Sequence, residues 1–148
     1  MVNGARAFVA DLWDRGVTLY LASGTDHPHV IREAQALGLS SYSEVRVYGA
    51  LDENEAHDKA TLIRRILKEN QLSAGELMVV GDGPVEIREA ASVQAIALSV
   101  ASDEITCSGW SGKKVRRLAD AGADLLVADF SNARALIDLL VGPSHNEK

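Results

Sequence analysis

Short apolar runs and amphipathic stretches alternate along almost the whole chain. The apolar runs contain few charges and many β-branched residues, a pattern typical of strands that are covered on both faces. Between them, apolar residues recur at spacings of three and four, which predicts helices that pack through one face. The predicted strands cover residues 17–22, 44–48, 77–80, 95–100 and 125–128, and the predicted helices cover about 5–13, 28–37, 57–70, 85–91, 113–121 and 133–140.

The regular alternation of strands and helices predicts one fold class. Parallel strands need a long crossover connection, and a helix on one face of the sheet provides it. We therefore expect an α/β domain in three layers, a parallel sheet with helices on both faces and right-handed crossovers. This core is expected to span residues 1–141, and residues 142–148 are expected to form a disordered tail.

Composition and charge narrow the classes of function. The 148 residues are 47% hydrophobic and carry a formal net charge of −6, which disfavours nucleic acid and anionic membranes as partners. The single cysteine cannot form an internal disulfide, and no apolar run approaches the roughly 20 residues that span a bilayer. These features favour a cytoplasmic domain. A basic group on one predicted helix is interpreted as a solvated face, with remote contact to a substrate as the less favoured alternative; its members are Lys113, Lys114, Arg116 and Arg117.

Residues suited to phosphate or metal binding follow two of the predicted strands. Ser23-Gly24-Thr25 comes after the first strand, and Gly81-Asp82-Gly83-Pro84 comes after the third. Ligands of open parallel sheets bind beyond the carboxyl ends of the strands. A hydroxyl and backbone N–H groups at a helix start can hold phosphate oxygens, and Lys59, at the start of the intervening helix, can neutralise them. Asp82 on a tight turn can present its carboxylate to Mg²⁺.

Each of these residues also has an ordinary structural explanation. Ser23 is typical of a loop or a helix cap, and Lys59 is typical of a solvated first helical turn. The helix dipole disfavours a cation at a helix start, so a lysine at this position is unusual. This makes a functional role for Lys59 more plausible than its residue type alone would suggest. Asp82 has the strongest case for function, because a tight turn holds it at the mouth of a parallel sheet.

The order of these features resembles the motifs of the haloacid dehalogenase superfamily of phosphatases. An apolar strand ends in Ser23, Lys59 opens a helix, and a second apolar strand ends in Gly81-Asp82. The resemblance implies a Rossmann-like fold and a Mg²⁺-dependent phosphatase that acts on a small phosphate ester, such as a sugar phosphate. It also implies catalytic roles for Ser23 and Lys59 and a phosphate site made of Ser23, Gly24, Thr25 and Lys59.

The resemblance further implies that Asp82 binds Mg²⁺, with Glu86 as the second residue of the metal site. Glu86 stands four residues after Asp82, where the family more often has aspartate. Because glutamate is one methylene longer, both direct ligation and contact through water remain open for Glu86.

The family's Asp-x-Asp nucleophile motif, whose first aspartate forms an aspartyl-phosphate, does not occur in this sequence. Asp11 and Asp14 are three residues apart, on a predicted helix. By the resemblance, we expect the chain to be the C-terminal portion of a phosphatase domain, without its nucleophile strand and cap, and inactive alone. The absent strand would lie between the Ser23 strand and the Asp82 strand. We expect these two strands either to pair directly or to be completed by another chain or by the missing N-terminal segment.

A different class of function remains open beside the enzyme. The same frame could serve as a non-catalytic regulatory or interaction module, with the chemistry lost. A nucleotide-binding or receiver-type domain is disfavoured, because the sequence contains neither a Gly-x-Gly-x-x-Gly turn nor a lysine-bearing phosphate loop.

Overall fold

Six α-helices and five strands alternate along the residues that the computed structural model describes, which are 1–39, 46–50 and 59–143, without the side chains of residues 50 and 59. The helices are α1 (Ala5–Asp14), α2 (His27–Ala36), α3 (Lys59–Glu69), α4 (Pro84–Ser92), α5 (Gly112–Asp120) and α6 (Ala133–Val141). The strands are β1 (Tyr20–Asp26), β2 (Arg46–Ala50), β3 (Met78–Gly81), β4 (Ile96–Val100) and β5 (Leu125–Val127). The α/β class and the order of elements are confirmed, and residues 144–148 of the predicted tail lie outside the described residues.

Two layers of helices cover the strands β3, β4 and β5. On one face, α3, α4 and α5 supply a core cluster that includes Leu62, Ile87 and Leu118. On the other face, α1 and α6 supply a second cluster that includes Phe8 and Ile137. Alternate residues of β4 belong to the two clusters, as expected for a strand with both faces buried. The predicted three-layer arrangement is therefore confirmed.

The strands form two separate parallel sheets. β1 pairs with β2, and β3, β4 and β5 pair in that order. β1 and β3 do not pair, so the expectation that the Ser23 strand and the Asp82 strand join directly is wrong. The physical reason is that α2 packs on β1 and α4 packs on β3, while α3 contributes to the packing of both sheets. Side chains from α1, α3 and α6 line the space between β1 and β3.

Two local predictions for these strands are also corrected. β1 begins at Tyr20 and continues to Asp26, so Ser23-Gly24-Thr25 belongs to the strand and not to a loop after it. The register with β2 shifts within this stretch, because Ala22 pairs with Tyr48 but Asp26 pairs with Ala50. In β3, Val80 is 41% exposed, although the apolar run predicts burial, because Val80 lines the open space between the sheets.

The described helices include none with both the length and the apolar character that a bilayer span requires.

The start of the chain is fixed against two loops. The Asn3 backbone N–H donates to the carbonyl of Cys107, and the Asn3 carbonyl accepts from the N–H of Phe130. Gly4 follows with φ of +74°, and a Cβ at this position would overlap the backbone carbonyl of Phe130. A glycine is therefore required here both for its left-handed conformation and for the close approach of two backbones.

Gly4→Ala is expected to destabilise the protein by more than about 2 kcal/mol, because it adds this overlap to the strain of a left-handed alanine. Gly16→Ala is the matched control, since Gly16 has φ of +75° but no atom within 4 Å of the added Cβ. It should cost only about 1 kcal/mol. Urea unfolding of both variants measures the difference, and equal losses would show that the contact with Phe130 does not matter.

Candidate active site

A groove of about 670 Å³ separates β1 from β3. Residues 19–23 line one side of it and residues 77–80 line the other. Leu62, Ile63 and Ile66 of α3 contribute apolar walls, as do Leu12 and Leu140 from the opposite helical layer. Ser23 and Glu86 are also part of the lining, so the structure brings two of the predicted site residues to the same groove.

Ser23 and Thr25 form a local hydroxyl pair at the end of β1. Their oxygens, Oγ and Oγ1, are 2.9 Å apart, and the Thr25 backbone N–H also donates to Ser23 Oγ over 3.3 Å. Gly24 lies between them, and α2 begins two residues after Thr25 at His27. The predicted phosphate residues on this strand therefore lie beside a helix N-terminus, where free N–H groups favour anions.

Lys59 is the first residue of α3, as the sequence predicts for a lysine that opens a helix. Its side chain lies outside the part of the chain that the structure describes. Its role toward phosphate remains a prediction.

Glu86 folds back over the turn that carries Asp82. Its Oε1 accepts a hydrogen bond of 3.0 Å from the Gly83 backbone N–H, which caps α4. A Cβ on Gly83 would lie 2.8 Å from both carboxylate oxygens of Glu86, and a Cβ on Gly81 would lie 3.1 Å from Oε1. Glycines on both sides of Asp82 thus leave room for this carboxylate against the turn.

Asp82 itself is held by a lysine from α5. The side chain of Asp82 is 61% exposed, and its Oδ2 lies 3.1 Å from Nζ of Lys114. The same Nζ lies 3.4 Å from Oε1 of Glu104, in the loop between β4 and α5. Burial opposes the charge of Lys114, but the hydrogen bonds and attraction of the two carboxylates outweigh it and raise the lysine pKa above its usual value.

The carboxylates at this turn are suited to a magnesium ion whose coordination is completed mostly by water and phosphate oxygens. Carboxylate oxygens are hard donors, and protein-bound Mg²⁺ commonly takes one or two carboxylates together with water and phosphate oxygens. Asp82 is well exposed for this role, and the ammonium group of Lys114 already stands as a cation on one of its oxygens. Among the residues that the structure describes, no cluster of three or more His, Cys, Asp or Glu side chains forms a fuller metal cage.

Two carboxylates, Asp103 and Asp129, accept hydrogen bonds from backbone N–H groups of the loop between β4 and α5. Asp103 accepts hydrogen bonds from the backbone N–H groups of Ile105 and Thr106, both of 3.0 Å. Asp129, which follows β5, accepts from the N–H of Gly109 over 3.0 Å and from the N–H of Ser131 over 2.8 Å. The hydrogen bonds from Ser131 and Gly109 lower the pKa of Asp129 from 3.8 to about 2.

Lys114 is the site residue for which the sequence prediction is wrong. The basic pattern predicts a solvated side chain here, as for its neighbours, yet Lys114 is only 7% exposed. The signal that would have found it is its helical position, since Lys114, Leu118 and Ala121 follow the spacing of a buried stripe and all three are buried. Lys113, Arg116 and Arg117 are exposed, as expected.

Glu86→Ala is expected to destabilise the fold by about 1 to 2 kcal/mol, because it leaves the Gly83 N–H without its acceptor. Glu86→Gln keeps an oxygen in the same place and should stay within about 0.5 kcal/mol of the wild type. Chemical denaturation of both variants provides the comparison. If both lose the same amount, the charge of Glu86 matters more than the cap.

Asp129→Asn is expected to destabilise the protein near neutral pH, with a penalty that shrinks in acid. A carboxylate with a lowered folded-state pKa contributes stability above its unfolded value of 3.8 and loses it as the pH falls through about 2. Free energies of unfolding measured from pH 7 down to pH 2 test this. A difference between Asp129→Asn and wild type that stays constant over the whole range would contradict it.

Comparison with known proteins supports the motif resemblance. The sequence model for a haloacid dehalogenase-like hydrolase matches residues 1–94. No curated protein sequence matches the chain.

Solved structures share the fold at low sequence identity. A conserved haloacid dehalogenase-like protein of unknown function from Agrobacterium tumefaciens superposes with a TM-score of 0.76 at 17% identity, over 94% of this chain and 60% of that one. A predicted phosphatase from Clostridium acetobutylicum gives 0.69 at 16% identity, with 92% and 59% covered. A predicted phosphoglycolate phosphatase from Haemophilus somnus gives 0.70 at 16% identity, with 94% and 55% covered.

This chain spans only about 55–60% of the length of those three proteins. The family model nevertheless covers more than half of the chain, and the fold agrees over nearly all of it. The chain belongs to the haloacid dehalogenase-like hydrolases.

Proposed function

We propose that this domain is part of a Mg²⁺-dependent phosphatase that acts on a small phosphate ester, and that catalysis requires a further strand in the groove between β1 and β3. The observation that carries the proposal is that Ser23 and Glu86 both line this groove and that Glu86 is bonded to the turn that carries Asp82. The residues suited to phosphate and to metal thus flank the same opening. Phosphatase-type relatives in fold agree with this class of reaction.

The groove has the features that an added parallel strand requires. Its two sides are strand edges that do not pair with each other, and such edges readily accept another strand. Its walls are apolar on both helical layers, so the incoming strand would be apolar on both faces. The motif resemblance puts the nucleophile strand between the same two strands, and the absence of Asp-x-Asp from this sequence agrees with a strand supplied by another chain or by a further N-terminal segment.

The residues of this chain would divide the work on the phosphoryl group. The hydroxyls of Ser23 and Thr25, with N–H groups around Gly24 and the start of α2, would hold its oxygens. Lys59 would offset its negative charge. Asp82 would hold Mg²⁺, with Glu86 beside the turn, and the bound ion would supply electrostatic stabilisation of the charge that develops during transfer.

The test uses an aryl phosphate with Mg²⁺ and two forms of the protein. The chain alone is expected to show no turnover above buffer. A fusion that joins an apolar strand ending in Asp-x-Asp to Met1, through a flexible Gly/Ser linker, is expected to turn over the substrate. Asp82→Asn in the fusion should lower the rate by at least about 100-fold, whereas Asp120→Asn, which removes an exposed acid from α5, should leave it unchanged.

Two results would contradict this proposal. Robust turnover by the chain alone that Asp82→Asn abolishes would show that no added strand is needed. The open groove also favours a second candidate function, a non-catalytic interaction module that binds a strand. For that module, the fused strand is expected to bind without any turnover. Binding would be seen as slower hydrogen exchange of the backbone amides of β3 around Val80.

A further inference from the structure

Lys114 is a buried cation that the proposed chemistry leaves unused. Its side chain is 9% exposed, whereas the adjacent Lys113 on the same helix is exposed. Burying a lysine is costly unless its charge is compensated. Here the compensation comes from Asp82 and Glu104, whose side chains remain 61% and 78% exposed.

This arrangement joins three parts of the molecule at one nitrogen. Asp82 belongs to the turn between β3 and α4, Glu104 to the loop between β4 and α5, and Lys114 to α5 itself. The stem of Lys114 enters the buried face of α5 together with Leu118. The ammonium group of Lys114 is therefore reached through a buried side chain, whereas the two carboxylates that contact it are exposed to solvent.

We propose that Lys114 is a positioning residue. Its fixed positive charge holds the carboxylate of Asp82 in place and weakens the affinity of the site for free divalent metal. The inference rests on the proposed function, in which Asp82 binds the metal. Lys114 occupies Oδ2 of Asp82, so a metal ion has to bind the same carboxylate close to a fixed positive charge. The negative charge of a bound phosphate group offsets this repulsion, so metal and substrate phosphate are expected to strengthen each other's binding.

The experiment measures Mn²⁺ binding to the whole chain by electron paramagnetic resonance at low ionic strength, where charge effects are least screened. Lys114→Met removes the charge and is expected to lower the Mn²⁺ dissociation constant about tenfold. Lys113→Met removes the same charge one residue away, at an exposed position, and should change it less than about threefold. Lys114→Arg keeps the charge and should retain the weak affinity of the wild type.

A second substitution guards against misfolding. Lys114→Gln keeps a hydrogen-bond donor for Asp82 without its charge, and it is expected to tighten Mn²⁺ binding as Lys114→Met does. Circular dichroism of each variant shows that it is folded. An affinity that stays the same or falls in folded Lys114→Met and Lys114→Gln would overturn the inference, as would a chain that binds no Mn²⁺ in any of these forms.

Asp82→Asn separates this inference from the proposed function. If Asp82→Asn binds Mn²⁺ as well as the wild type does, the proposed metal site is wrong. If it binds less tightly but the Lys114 variants do not bind more tightly, only the role of Lys114 is wrong. Tighter binding in the Lys114 variants that is lost when Asp82→Asn is added supports both.

Discussion

Backbone hydrogen bonding along two strand edges is the constraint on which the rest of this structure depends. Every buried backbone N–H and C=O group needs a partner, and a strand in the middle of a sheet finds it on both sides. Among the described residues, β1 pairs only with β2 on one side, and β3 pairs only with β4. The helices around the groove nevertheless form both of its walls. The frame of a larger sheet is thus in place while the hydrogen bonds at its centre are not made within the described part of the chain.

The separation of β1 and β3 also sets the scale of the candidate site. Ser23 reaches the groove from one side, and Glu86, beside the Asp82 turn, reaches it from the other. The apolar side chains of α1, α3 and α6 form the walls of the space between the two sides. The residues suited to phosphate and the residues suited to metal therefore lie on opposite sides of a groove with apolar walls.

Periodicity predicted most of this fold because the information lies in short stretches of sequence. The helices, the buried β4 strand and the glycine turn around Asp82 follow from local patterns that the structure confirms. The pairing of β1 was harder to predict, since strand edges and register shifts depend on residues far away in the sequence. The same limit applies to Lys114, whose residue type indicates solvent but whose helical position indicates the core.

The sequence identified the motif residues, but only the structure identified the residues that they contact. The order of the motifs predicted that Ser23, Lys59 and Asp82 would lie near the carboxyl ends of the strands. It did not show that Glu86 binds the backbone of its own helix start, or that Asp82 meets Lys114 and Glu104. Those contacts join residues from different elements, and a one-dimensional pattern does not encode their distances.

The cap that Glu86 provides has a consequence for molecular recognition. The Glu86 carboxylate accepts a hydrogen bond from the Gly83 N–H and packs against Gly81 and Gly83. These contacts within the protein hold the shape of the turn without a ligand. Little backbone freedom then remains to be lost when a ligand arrives, so the entropic cost of ordering this turn is met during folding. Discrimination between ligands at Asp82 would accordingly depend on charge and size more than on how far the turn can adapt.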